Sequence, residues 1–242
     1  MLRSHTIKAE LSQDELDAID AILAGLDFAG WAALAGDVQP LLDEIVSDGS
    51  YAAFGQVGVD VTTDPEALAM VNSQALDYAR ERAAEMVGKR RNLAGDLVDN
   101  PDTEWRIDDS TREFLRADVG QALADGWSND KLASTIADSY AFSDDRAMTI
   151  ARTETQMAAN TGAVNGYKAS GVVDGKQWLT AEDDLVSEDC VENGAAGDNG
   201  DGVIGLDEDF PSGDDAPPAH PNCRCSIAPY IDFNSADADQ GA

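Results

Sequence analysis

The feature that most restricts the fold is a change of texture at Gly171. Before it, apolar residues recur at helical spacing between capping residues and glycine stops. Beyond it, residues 171–230 hold all three cysteines and five of the eight prolines, with no long helical period. Such a pattern segregates helices from strands and predicts an α+β protein, mainly α. The expected architecture is a helical body followed by a small C-terminal α+β cap with short strands and a Cys/His cluster. A chain of 242 residues has ample material for a core. The boundaries read as an N-terminal helical region over 1–103, a second region over 104–230 and a disordered acidic tail over 231–242.

Local signals place the helices. Ser12 and Glu15 form a capping box ahead of Leu16, Ile19, Ile22 and Leu23, and Gly25 ends that helix. The apolar segment 28–46 contains Gly36 and Pro40 and is expected to be broken, with 47–63 a loop. Asp64-Pro65 starts the clearest helix, its stripe running through Val71, Ala75, Ala79 and Ala83 to Met86 before Gly88. After a break at 96–103, Ser110 and Glu113 form a second capping box for a helix ending near Gly126. Ser128 caps a short helix carrying Leu132, Ile136 and Tyr140. Ser143 caps the last long one, which Gly171 closes.

Charge excludes several classes of function. Asp and Glu total 47 against 16 Lys and Arg, a formal net charge of −31, and the acids are spread evenly: 18 in residues 1–100, 20 in 101–200 and 9 in the last 42. A surface this acidic repels itself in dilute buffer. At molar salt the screening length falls to about 3 Å and the repulsion fades. The composition therefore points to a high-salt cytoplasm such as that of a haloarchaeal host. It argues against a broad nucleic-acid-binding face. The one basic cluster, Lys89-Arg90-Arg91, reads either as complementing a helix C-terminus or as a contact with DNA or an acidic partner. No apolar run approaches the roughly 20 residues needed to cross a bilayer, and Met1–Glu10 has no apolar core of a signal peptide; a soluble, non-exported protein is expected.

Three constellations could carry chemistry. In Cys223-Arg224-Cys225, residues two apart on an extended segment project to the same side, so both sulfurs can meet one ion. His220 lies three residues earlier, and Cys190 would arrive from the preceding loop. Three thiolates and one imidazole form a closed tetrahedral set, as in a structural zinc site. One disulfide with a spare thiol, or three reduced thiols, are the alternatives. With only His5 and His220 in the chain, no His-Glu-x-x-His arrangement exists. Glu154 lies on the apolar stripe of the last long helix and needs a partner, for which Arg224 is a candidate; a buried structural ion pair and a catalytic acid are the two readings. The acidic loop from Asp198 to Glu208 approximates a calcium loop, with Gly197 where the first ligand should be; a solvated insertion is the plainer account.

Taken together, Arg146-Ala147, Ile150 to Glu154, Asn160, Tyr167, Gly171-Val172, Trp178 to Asp183, Cys190, Asn193-Gly194 and the ending Pro217 to Cys225 resemble the Mu F-like minor head proteins of tailed phages, over roughly 108–230. The resemblance makes 104–230 a head morphogenesis domain and 1–103 a region docking on portal or capsid. It implies no enzyme but a minor structural protein of a tailed-virus head, present in several copies in the head interior near the portal vertex, and in the host cytoplasm during assembly. Its implied partners are the portal and major capsid proteins, with contact to packaged DNA near Lys89, Arg90 and Arg91 and none with membranes. Its implied roles are procapsid assembly, genome packaging or ejection. The family often has a Cys-x-x-Cys pair after the Trp/Asp step; here Ser187 stands at its first position, and His220 could supply the replacement ligand in a metal set of Cys190, His220, Cys223 and Cys225. The rival reading is a metal-dependent hydrolase or toxin-like transferase using Glu154. With the charge, a tailed virus of haloarchaea is the expected setting.

Overall fold

The computed structural model describes residues 31–100, 106–125 and 143–232, together with six isolated positions at 13, 17, 131, 134, 135 and 138. The expected capping box at Ser12, the helix after Ser128 and most of the acidic tail lie outside the described residues. Those described form five helices: α1 (Trp31–Gln56), α2 (Pro65–Glu85), α3 (Ile107–Asp125), α4 (Asp144–Ser170) and α5 (Glu188–Gly194). Strands β1 (Lys89–Arg91) and β2 (Leu97–Asp99) pair as an antiparallel hairpin, and β3 (Gly175–Leu179), β4 (Val203–Gly205) and β5 (Ser226–Tyr230) form an antiparallel sheet in the order β4-β3-β5. The α+β class, mainly α with short strands at the C-terminal end, is what the texture indicated. No helix among the described residues is long and apolar enough to cross a membrane.

The chain divides into two compact units, one of residues 1–36 and 84–148, the other of 37–83 and 149–242. In the first, Gly88 adopts φ +69° and turns the chain into the hairpin, where Arg90 faces Val98 and Lys89 pairs with Asp99 at 2.5 Å. The basic cluster, which follows the helix end at Glu85, therefore sits on a strand. Ser143 caps α4 as its position suggested, accepting from the Arg146 N–H. Ser110, by contrast, lies inside α3, and its hydroxyl bonds to the Arg106 and Ile107 carbonyls and accepts from Arg146. The helix starts at Ile107, one turn before the expected cap.

In the second unit α1 is continuous through Pro40, and it takes up most of the segment expected to be a loop. The cause is tertiary. Gly162 and Gly166 on α4 approach the α1 backbone so closely that a Cβ on them would lie 2.2 Å from the Val46 carbonyl oxygen and 2.6 Å from that of Ser50. Gly49 makes the reciprocal approach to Ala159, and the Ser50 hydroxyl donates to the Gly162 carbonyl at 2.8 Å. Of the glycines in the segment expected to be a loop, Gly49 is the one this crossing requires, and the packing overrides local propensity. Asp64 caps α2 by accepting from the Glu66 and Ala67 N–H groups, both at 3.0 Å, with Pro65 at the first helical position. Around Trp178 and Tyr167 a core forms that also contains Phe210, Ile227 and the three cysteines.

Candidate metal centre

The cysteine cluster is assembled from three short devices. Ser187 caps α5, its hydroxyl accepting from the Cys190 N–H at 3.3 Å, which sets Cys190 in the first turn with 1% of its surface exposed. In the second device, Asn222 takes a left-handed φ of +59° and the Cys223 N–H bonds the His220 carbonyl at 3.1 Å, a tight turn that returns Cys223 toward Cys190. The third is strand β5, which pairs with β3 from Ser226 onward and leaves Cys225, just before it, in the buried core that contains Trp178.

The geometry brings three of the four residues singled out by spacing, Cys190, Cys223 and Cys225, into one group, and His220 reaches that group through Cys190. The three sulfurs lie within 4.8 Å of one another, and Cys190 Sγ is 3.5 Å from both Cys223 Sγ and His220 Nε2. All three cysteines are buried free thiols, so no disulfide joins them here. His220 Nδ1 lies 2.9 Å from the Pro221 carbonyl oxygen, which can only accept. That contact puts the ring proton on Nδ1 and leaves the Nε2 lone pair facing Cys190 Sγ, the tautomer that metal-ligating histidines adopt. Donors about 2.3 Å (sulfur) and 2.0 Å (nitrogen) from one ion at tetrahedral angles stand roughly 3.5–3.8 Å apart. The residues present thus fit a structural metal ion.

Burial opposes free thiolates. It pushes the Cys190 thiol up to about 12, with the neighbouring thiols adding to the effect and Ser187 opposing it. Arg224, between the two C-terminal cysteines, forks onto Asp183 at 2.5 and 2.6 Å, and this pairing holds the Asp183 carboxyl below its ordinary value. It is therefore not the partner of Glu154. That carboxylate is met by Arg82 on α2, whose Nε and Nη2 donate at 2.8 and 2.7 Å.

The support beneath the cluster was missed in the sequence. Along α4, Thr149, Thr153, Gln156 and Asn160 recur at spacings of four, three and four, an uncharged polar stripe on one face. Thr153 accepts from the Asn222 N–H at 3.1 Å, Thr149 from the Asn222 side chain at 3.3 Å, Asn160 donates to the Pro217 carbonyl at 2.8 Å, and Gln156 donates to the Cys225 carbonyl. Three side chains thus hold the backbone of the loop that carries His220, Cys223 and Cys225, and the fourth, Thr149, holds its Asn222 side chain. The acidic loop has a more local use: Asp201 accepts from the Val203 N–H and Glu208 from the Gly205 N–H. Among the described residues, the three cysteines form the one group of three or more His, Cys, Asp or Glu donors close enough to share an ion.

Residues 113–228, which contain the whole cluster and all of α4, match the family described as Phage Mu protein F like protein. No curated protein and no solved structure matches the chain.

Proposed function

We propose, from the match of residues 113–228 to the family described as Phage Mu protein F like protein, that the chain is a minor protein of a tailed-virus head, seated at the portal vertex or inner capsid, where it acts in procapsid assembly, genome packaging or ejection. Its partners would be the portal and major capsid proteins, with several copies per particle. The observation that carries this reading is the clasp. Within the matched segment, the most elaborate polar construction ties a loop to α4 and closes on buried sulfurs, and Glu154 is engaged by Arg82.

In this reading Cys190, Cys223, Cys225 and His220 hold a zinc ion, which when bound supplies a cross-link and neutralises thiolate charge. Ser187 orients Cys190, the Pro221 carbonyl orients His220, and Arg224 sets a cation beside Cys223 and Cys225. The clasp lets a short, strand-poor segment keep one shape while larger assemblies press on it. The hairpin bearing Lys89, Arg90 and Arg91 is the element that would meet packaged DNA. The charge of −31 belongs with a high-salt host, a haloarchaeon, where screening removes self-repulsion.

Purified particles test the assignment. The chain should copurify with portal and capsid proteins at more than one copy per particle; its absence from particles overturns the structural role. Elemental analysis of the reduced protein should find about one zinc per chain, and less than about 0.2 equivalents removes the metal. Circular dichroism across a potassium chloride series should show the fold strengthening toward molar salt; full folding without added salt counts against the halophilic setting.

A further inference from the structure

Leu93, in the loop that joins β1 to β2, is fully exposed, the most exposed large apolar side chain among the described residues. A lone leucine in solvent needs no account. This one is held there. The Asn92 side chain accepts from the Ala94 and Asp96 N–H groups, both at 2.9 Å, and the Asn92 N–H bonds the Asp96 carbonyl at 3.0 Å. Gly95 closes the turn at φ +88°, its N–H bonding the Asn92 carbonyl at 2.9 Å. Leu93 therefore stands on a tightly bonded loop at the tip of the hairpin.

The cations behind the tip are arranged on two sides. Successive residues of a strand face opposite ways, so Arg90 and Arg91, both exposed, put one guanidinium on each face of the ribbon. Arg91 also donates to the Gly95 carbonyl at 3.0 Å, which sets its charge beside the tip. The two acids of the hairpin are engaged within it, Asp99 by Lys89 and Asp96 by the Asn92 amide. A flat acidic surface, of a protein or of a lipid layer, would meet only one face of such a ribbon. A groove walled by phosphates on both sides meets both. The minor groove of duplex DNA has that form, and apolar tips that enter it wedge between base steps and kink the helix.

We infer that the hairpin enters the minor groove of duplex DNA, with Arg90 and Arg91 on the phosphates of opposite strands and Leu93 wedged between two base pairs, bending the duplex. The inference rests on the reading above that this hairpin meets packaged DNA, and adds the groove, the wedge and the bend. It also suits a chain whose charge of −31 opposes a broad phosphate-binding face, since few phosphates are needed. In molar salt phosphate contacts weaken steeply, whereas an apolar wedge is not screened.

The test uses the full chain and a duplex of about 30 base pairs with a central TA step, which kinks readily, labelled at both ends for energy transfer. Wild type should bind it and bend it by roughly 20–90°. Leu93→Ser changes a side chain that lies wholly in solvent, so the fold is kept. It should lose the bend while the slope of log affinity against log salt stays as in wild type. Arg90→Gln should reduce that slope by about 1. A Leu93→Ser variant that bends the duplex as wild type does overturns the wedge and leaves the DNA reading standing. A wild type that fails to bind the duplex anywhere from roughly 0.1 to 2 M potassium chloride overturns the DNA reading, and the wedge with it. Binding to phosphatidylglycerol vesicles in place of the duplex overturns both.

Discussion

Arg82 on α2 grips Glu154 on α4 through both carboxylate oxygens, and the two side chains retain only 8% and 11% of their exposure. A fork-to-fork pair of this kind satisfies the geometry of both groups, which is the condition under which two charges can be buried together. It also gives Glu154 the buried partner that its place on the apolar stripe required. Glu154→Gln leaves Arg82 buried without its counter-charge and should cost about 3–5 kcal/mol, whereas the double variant Arg82→Met/Glu154→Leu should lie within about 1 kcal/mol of wild type or above it. Urea unfolding at one fixed salt concentration measures both. A harmless Glu154→Gln would show that the pair carries no stability.

The glycines at the crossing of α1 and α4 are not interchangeable with Gly36. A methyl group at Gly162 would stand 2.2 Å from a backbone carbonyl oxygen, which can move only if the helices part. Gly162→Ala should therefore destabilise by about 1–3 kcal/mol through overpacking. Gly36 on α1 is exposed and has nothing within 4 Å of where its Cβ would be. Gly36→Ala should stabilise by roughly 0.5–1 kcal/mol, because it only removes freedom from the unfolded chain. Opposite signs from one chemical change are the expected thermal-melt result.

What could be read in advance follows from the range of each signal. Asp64, Pro65, Gly88, Ser143 and Gly171 act within about four residues, and each starts or stops an element where its local chemistry required. Ser110 offered the same local signal and lost, because Arg146 recruits its hydroxyl from 36 positions away. Pro40 and Gly49 misled for a similar reason: the contact that stabilises α1 is made with α4, more than 100 residues later. Within the cluster, the short spacing of His220, Cys223 and Cys225 was legible, and Cys190 could be added by chemistry alone. The α4 stripe was not, since four uncharged polar residues on a helix look like an ordinary solvated face until the loop is laid across them.

Tyr167 supplies a pH dependence. It is 1% exposed, its hydroxyl donates to Gln56 Oε1 at 2.7 Å, and burial pushes its phenol up to about 12. An unfolded tyrosine titrates near 10. The fold therefore favours the protonated phenol: this contribution is complete below about pH 10 and is lost as pH rises through about 12. Ultraviolet titration of phenolate in wild type minus Tyr167→Phe should give a difference curve with its midpoint near 12. A midpoint near 10 would show that the hydroxyl is open to solvent.

The stripe beneath the cysteines makes the sharpest claim about the loop. Asn160 meets the Pro217 carbonyl and Gln156 that of Cys225, so Asn160→Leu or Gln156→Leu leaves a carbonyl without its donor at a cost of about 1–3 kcal/mol. That cost falls on local opening of the loop, because the loop can detach without the helix unfolding. The buried thiols of the reduced, metal-free chain should then react with an aromatic disulfide roughly 5- to 150-fold faster, the same free energy expressed as an opening equilibrium. Thr155→Ala, on the exposed side of the same helix, controls for a general loosening of α4 and should leave the rate unchanged. Equal acceleration in all three variants would mean that the thiols are exposed by unfolding of the helix, and that the stripe does not pin the loop.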